Sequence, residues 1–381
     1  MNRFVEAVST LENRYIKDWK SRGGRVVGYT CSYVPDEILH AAGLFPFRVR
    51  GFSAADTTIG DTYFGPFICS LPKCMLQLAG EGNFNFLDGI IITPGCDSMR
   101  RLDECWRKAG EDIEGIVPGF FFHFGVPHKF TDYTLKWFTE ETKRLINALN
   151  SHFGADINNE QLSESIRLYN RTRVLLARFD SLRTRKDPPF TGIEALAVVL
   201  AGTALPKEIY NAMLEEYLAE MNDAPGIAGR SRIMLVGSAN DDLELVRIIE
   251  GSGGLVAADN LCFGSRLYSD SVDENSEPVE ALVTRYLSHN ECPRMYGDYK
   301  NRLLSLKEKI ESAAIDGVIL QNIRFCDLHG SENGLFERDL EKEGIPCMRL
   351  EREYGPLVET GRMKMRIDAF LERLGRRVVA P

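Results

Sequence analysis

No two cysteines of this chain stand in a Cys-x-x-Cys pair, and no glycine is followed by lysine. The first absence excludes zinc ribbons and the bacterial ferredoxin run, both of which need closely spaced thiolates. The second excludes the Gly-x-x-x-x-Gly-Lys-Ser/Thr phosphate loop and ATP hydrolysis by that device. There is no basic stripe to neutralise phosphates, and a formal net charge of −9 argues against a nucleic-acid partner. The most apolar stretch, residues 193–205, is too short to cross a bilayer and reads as a buried helix. Charges at Arg3 and Glu6 come too early for a secretory signal. These absences together point to a cytoplasmic protein that touches neither membrane nor nucleic acid.

What is present begins with a repeat. Asp88-Gly89-Ile90-Ile91-Ile92-Thr93-Pro94-Gly95-Cys96-Asp97 is echoed by Asp316-Gly317-Val318-Ile319-Leu320-Gln321-Asn322-Ile323-Arg324-Phe325-Cys326-Asp327. Each is a short aliphatic run of the kind that forms a buried parallel strand, and each closes on Cys-Asp. In open α/β sheets ligand chemistry collects just beyond the carboxyl ends of strands. A cysteine placed there once in each half implies two similar units facing each other across a thiolate-lined cleft.

At 381 residues the chain is long enough for two or three domains. Residues 1–23 read as an N-terminal helix. Strands over 25–30, 45–49 and 88–93 alternate with helices opening at Pro35-Asp36-Glu37 and at Asp97, which predicts a parallel sheet within a first α/β unit, 24–131. Helical spacing then runs through Phe138, Leu145, Leu149, Leu162, Ile166 and Tyr169, giving a helical bridge and linker over 132–229. A second α/β unit, 230–381, carries strands at 233–237, 255–258, 316–323 and 347–350. The fold class is therefore α/β, with two Rossmann-like parallel-sheet domains and a helical bridging region.

Nine cysteines, an odd number without framework spacing, mean free thiols or metal ligands in a cytosolic protein, not disulfides. Cys31, Cys96, Cys262 and Cys326 each follow a predicted strand. Cys69 precedes a helix, and Cys292 sits in a loop beside Pro293. Loops carry binding residues, and helix N-termini favour the thiolate that ligates metal. Cys105, inside a predicted helix, and Cys347, within a strand, fit a packing role. Cys74 reads as structural or as a replacement for Cys69. A thiolate set without partnering histidine favours iron–sulfur clusters or zinc, and the long separations favour a cluster between domains over a local zinc module. His40 reads as a capping or interface residue, and His123 and His128 as core or loop residues. His329, three residues past Cys326, reads as a hydrogen-bond donor behind the ligands or as a catalytic acid. Gly251-Ser252-Gly253-Gly254 follows a helix and reads as its cap and turn.

The stretch Tyr29-Thr30-Cys31-Ser32-Tyr33-Val34-Pro35-Asp36-Glu37-Ile38-Leu39-His40-Ala41-Ala42-Gly43 resembles the opening signature of the 2-hydroxyacyl-CoA dehydratase and benzoyl-CoA reductase superfamily, component D type. Ile68-Cys69-Ser70, Gly95-Cys96-Asp97, Ile166-Arg167-Leu168-Tyr169-Asn170-Arg171-Thr172-Arg173 and Phe325-Cys326-Asp327 follow in the family's order, over nearly the whole chain. The resemblance implies iron–sulfur subunits that pair as dimers and receive single low-potential electrons from a separate ATP-hydrolysing iron–sulfur activator. It implies Cys69, Cys96 and Cys326 as ligands of one [4Fe–4S] cluster. The added Cys31, Cys262 and Cys292 resemble the double-cubane branch, in which six thiolates hold an [8Fe–9S] cluster.

Two functions are therefore expected. One is a reductase of a small substrate, working with a double cubane as a homodimer. The alternative is a [4Fe–4S] subunit of a 2-hydroxyacyl-CoA dehydratase, removing water from an acyl-CoA, or of a benzoyl-CoA reductase, heterodimeric with a paralogous subunit.

Overall fold

Eight short strands close into two separate four-stranded parallel sheets in the computed structural model of the chain, which describes residues 2–355 and 360–379. The first sheet contains β1 (Val26–Tyr29), β2 (Phe45–Arg48), β3 (Gly89–Ile92) and β4 (Phe120–His123), in the order β2-β1-β3-β4. The second contains β5 (Ser231–Gly237), β6 (Gly254–Asn260), β7 (Gly317–Ile323) and β8 (Cys347–Arg352), in the order β6-β5-β7-β8. The two orders are the same, so the sequence repeat is a structural repeat. The expected second unit extends over residues 356–359 and 380–381, which lie outside the described residues.

The repeat has a physical basis at the strand starts. The Asp88 carboxylate accepts the Val26 N–H at 2.8 Å, while its own N–H donates to the Val26 carbonyl at 2.8 Å. Asp316 does the same with Arg232, at 2.7 Å and 2.9 Å. Each aspartate thus pins the inner strand pair, β1 to β3 and β5 to β7, in register. Every residue of β1 and β3 is buried, as expected of strands covered on both faces. Between β1 and β3, and again between β5 and β7, successive connections leave the sheet in opposite directions. The resulting crevice opens beyond the strands' carboxyl ends.

The expected N-terminal helix is two helices, Arg3–Val8 and Arg14–Ser21. Asn13 breaks the run: its side chain caps the second helix through the Tyr15 and Ile16 amides and donates to the Ala204 carbonyl at 2.8 Å. The bridge consists of Asp132–Phe153, Asn159–Arg183, Gly192–Ala201 and Lys207–Asn222. Gly192–Ala201 is the apolar stretch noted above. It is buried between helix Arg3–Val8, helix Leu243–Gly251 and β6, which explains its lack of a polar face.

One connection departs from a simple βαβ unit. The chain between β6 and β7 sends helix Pro278–Ser288 across to pack on Asp132–Phe153 and Asn159–Arg183. Val279, Leu282, Val283 and Tyr286 join the core that contains Val27, Tyr29 and Ile91 of the first sheet. A segment from the second half of the sequence is thereby built into the first.

Candidate functional site: six cysteines at strand and helix ends

Three cysteines occupy the same local position. Cys69, Cys96 and Cys326 are the N-cap residues of helices Ser70–Gly80, Asp97–Asp112 and Asp327–Lys342. None makes a formal capping hydrogen bond. The first-turn amides of Leu71, Met99 and His329 nevertheless favour the thiolate at Cys69, Cys96 and Cys326 respectively, as helix N-termini do. The Ser98 hydroxyl acts the same way on Cys69, and Ser238 on Cys326. The turn into Cys326 is made by Phe325, whose φ of 64° is left-handed and unusual for an aromatic residue. Its ring meets that of Phe67 edge-on at 5.7 Å, and both rings are exposed.

The other three lie on loops. Cys31 follows β1, Cys262 follows β6, and Cys292 follows the excursion helix Pro278–Ser288. That helix delivers Cys292 to the first half of the molecule, where it packs with Cys31 against the same core. Cys96, Cys262 and Cys326 pack against the other large core, in which Cys69 is buried.

Burial dominates the thiol electrostatics, and the thiols act on one another. Burial and the Cys326 charge push Cys69 up to about 12. Burial raises Cys96, which also feels Cys69, Cys326 and Cys31. Burial likewise raises Cys326, which feels Cys262, and Cys292, which feels Cys31. All six, and Cys74 through Cys69, are thus linked by mutual charge influence, running from Cys292 through Cys31 and Cys96 to Cys69, Cys326 and Cys262. Among the described residues no group of three or more His, Cys, Asp or Glu side chains is arranged to hold a metal ion. Several buried thiolates without a counter-cation are costly, and an iron–sulfur core supplies that positive charge. The donor set therefore fits the group.

The remaining cysteines are used in packing. Cys105 donates to the Tyr63 carbonyl at 3.4 Å, and Cys347 to the Ile345 carbonyl at 3.7 Å. Cys74 is fully buried and donates to the Tyr354 carbonyl at 3.7 Å; burial, Asp241 and Cys69 push it up to about 12. His329 is held well below its ordinary value by burial and the Arg266 and Arg302 guanidiniums, so near neutrality it is an uncharged donor. His40 bridges Ser165 and Glu208, each at 3.0 Å, and His128 meets the Arg294 carbonyl at 2.9 Å.

Sequence reasoning missed Ser98, Ser238, Arg266 and Arg294. Ser238 carried a signal, since it follows β5 as Thr30 follows β1. The Ile323 N–H donates to Ser238 Oγ at 3.1 Å, as the Thr93 N–H does to Thr30 Oγ1 at 3.2 Å. Arg294 carried a weak signal, standing two residues past Cys292, whose thiolate its amide favours; Arg266 carried none, its guanidinium reaching the distant Gly237 carbonyl.

Comparison with known proteins fits this arrangement. The model of the family "2-hydroxyglutaryl-CoA dehydratase, D-component" matches residues 31–374. The (R)-phenyllactyl-CoA dehydratase beta subunit of Clostridium sporogenes is 25% identical over 375 residues, covering 98% of each chain. A benzoyl-CoA reductase subunit of Thauera aromatica is 28% identical over 321 residues, covering 82% of this chain and 81% of its own. The beta subunit of (R)-2-hydroxyglutaryl-CoA dehydratase from Acidaminococcus fermentans is 22% identical, covering 97% of each chain.

Proposed function

This chain belongs to the 2-hydroxyglutaryl-CoA dehydratase D-component family, and from that premise we propose that it is an iron–sulfur oxidoreductase. In this reading Cys31, Cys69, Cys96, Cys262, Cys292 and Cys326 hold a double cubane of the [8Fe–9S] type between the two α/β units. The observation that supports it is the placement of these six cysteines at strand and helix ends of both sheets and on the excursion that links them. When bound, such a cluster supplies single-electron chemistry at low potential.

The chain's own residues hold and tune it. The Leu71, Met99 and His329 amides and the Ser98 and Ser238 hydroxyls stabilise charge on sulfur. His329 is kept uncharged by burial and the Arg266 and Arg302 guanidiniums. In this reading, as the family resemblance implies, the electrons come from a separate ATP-hydrolysing iron–sulfur activator; the absence of a phosphate loop from this chain agrees with that. The working assembly is a cytoplasmic dimer.

The relatives' names favour a second reading, a [4Fe–4S] subunit of an acyl-CoA dehydratase or benzoyl-CoA reductase. It would use only the helix-capping trio Cys69, Cys96 and Cys326. Iron and acid-labile sulfide in anaerobically purified protein separate the two. About eight irons per chain support the first reading; about four, unchanged by Cys31→Ala or Cys292→Ala, support the second.

A further inference from the structure

The two ends of the thiol set are not electrostatically alike. The strongest charge influences on Cys69, Cys96 and Cys326 are other thiols and, for Cys69 and Cys326, Asp327. Cys292 instead feels Arg266 and Arg294, both of which favour its thiolate. These guanidiniums are 2% and 3% exposed. Arg266 donates to the Gly237 carbonyl at 2.8 Å, and Arg294 to those of Pro127 and Val126 at 3.0 Å and 2.9 Å. Among the described residues neither Nε–H has a hydrogen-bond partner. A buried, unpaired guanidinium N–H is costly unless something accepts it.

Their position points to the acceptor. Arg294 stacks on the Tyr33 ring at 4.4 Å, and Tyr33 also feels Cys31, Cys292 and Arg266. A Cβ placed on Gly95 would stand 3.4 Å from the Cys31 sulfur and 4.0 Å from Arg294 Nε. The thiol and the free N–H therefore face the same small space, which a side chain at Gly95 would fill. Glu291, next to Cys292 in sequence, is paired with Lys309 at 2.9 Å and also feels the Arg266 charge.

We propose that Arg266 and Arg294 are potential-setting residues that make the Cys31–Cys292 side of the bound cluster the side that takes up an electron first. The inference rests on the six-thiol reading. The step is one-electron: an external low-potential reductant gives up one electron, no bond forms or breaks, and both guanidiniums stay protonated. Hydrogen bonds and fixed positive charge near cluster sulfur raise its potential.

The test uses the full chain reconstituted anaerobically and titrated with a one-electron reductant, with the reduced states followed by EPR and iron counted in each sample. For Arg266→Gln or Arg294→Gln, iron content is expected to hold while the first reduction step moves to more negative potential. At fixed applied potential the reduced-to-oxidised ratio of that step falls by about tenfold, equivalent to about 59 mV for one electron, and the second step moves less. Arg294→Lys, which keeps the charge, recovers part of the shift. Should an arginine variant fail to fold, Gly95→Ala puts a methyl between Cys31 and Arg294 Nε and is expected to move the same step the same way. An unmoved first step at full iron content, or equal movement of both steps, overturns the inference alone. Wild-type iron content in Cys31→Ala and Cys292→Ala overturns the six-thiol reading and the inference with it.

Discussion

Asp88 is the residue on which the first sheet's register turns. Burial pushes its carboxyl up, but Lys20 at 2.7 Å, the Val26 N–H and Arg25 outweigh this and hold it below the ordinary carboxylate range. A depressed pKa in the folded state means that the stabilisation is present above the unfolded value, near 3.9, and is lost as pH falls through the lower folded value. Asp88→Asn should therefore lower the stability of the apo protein at pH 7 by about 1 kcal/mol, after discounting for the exposed Arg25 side. The deficit should shrink as pH falls from 7 through the lowered folded value of Asp88 in the acid range. Denaturant titrations of both proteins across that range measure this, and a pH-independent gap would mean that charge is not what Asp88 contributes. Gly237 shows the opposite economy: its φ of 130° and its closeness to the Gln321 carbonyl leave no room for a side chain where β5 ends.

Among the elements, helix Asp36–Ala41 is tied to the bridge and to the excursion by one buried network. Glu37 pairs with Arg173 of helix Asn159–Arg183 and accepts the Tyr286 hydroxyl of helix Pro278–Ser288 at 2.7 Å. Burial acts to raise Glu37, but Arg173 prevails and holds it below its ordinary value. Arg173→Leu strands a buried carboxylate and should cost about 3–5 kcal/mol, most of which a second change, Glu37→Gln, should recover. Strictly additive effects in denaturant titrations would contradict the pairing.

Local pattern made most of these elements legible. Strands at 88–93 and 316–323 and helices starting at Asp36 and Asp97 followed from aliphatic runs and acidic first turns. Strand β4 was missed because Phe120-Phe121-Phe122-His123 gives no alternation and pairs only with distant β3. Helix Thr360–Val379 was missed too, although Ile367, Phe370 and Leu374 are buried at helical spacing. The docking of Pro278–Ser288 on the first half has no local signature, since it depends on which hydrophobic face finds which partner.

Across the whole molecule, in the proposed reading, two repeated α/β units and one exchanged helix serve to bring six thiols to one cluster. Placement of cysteines at strand and helix ends could be read from sequence, because strand ends and helix starts have local signals. The inequality of the two sides could not be read in full, because Arg266 reaches Gly237 across the fold and Arg294, although two residues past Cys292, is held by the distant Val126 and Pro127 carbonyls. Cysteine footprinting tests the six-thiol cluster most directly: the native protein is alkylated anaerobically with its cluster and again after chelator treatment, and each site is quantified by mass spectrometry. Cys31, Cys69, Cys96, Cys262, Cys292 and Cys326 should all gain label when the cluster is removed, while the half-buried Cys105 labels equally in both states. A gain confined to Cys69, Cys96 and Cys326 would contradict the six-thiol cluster.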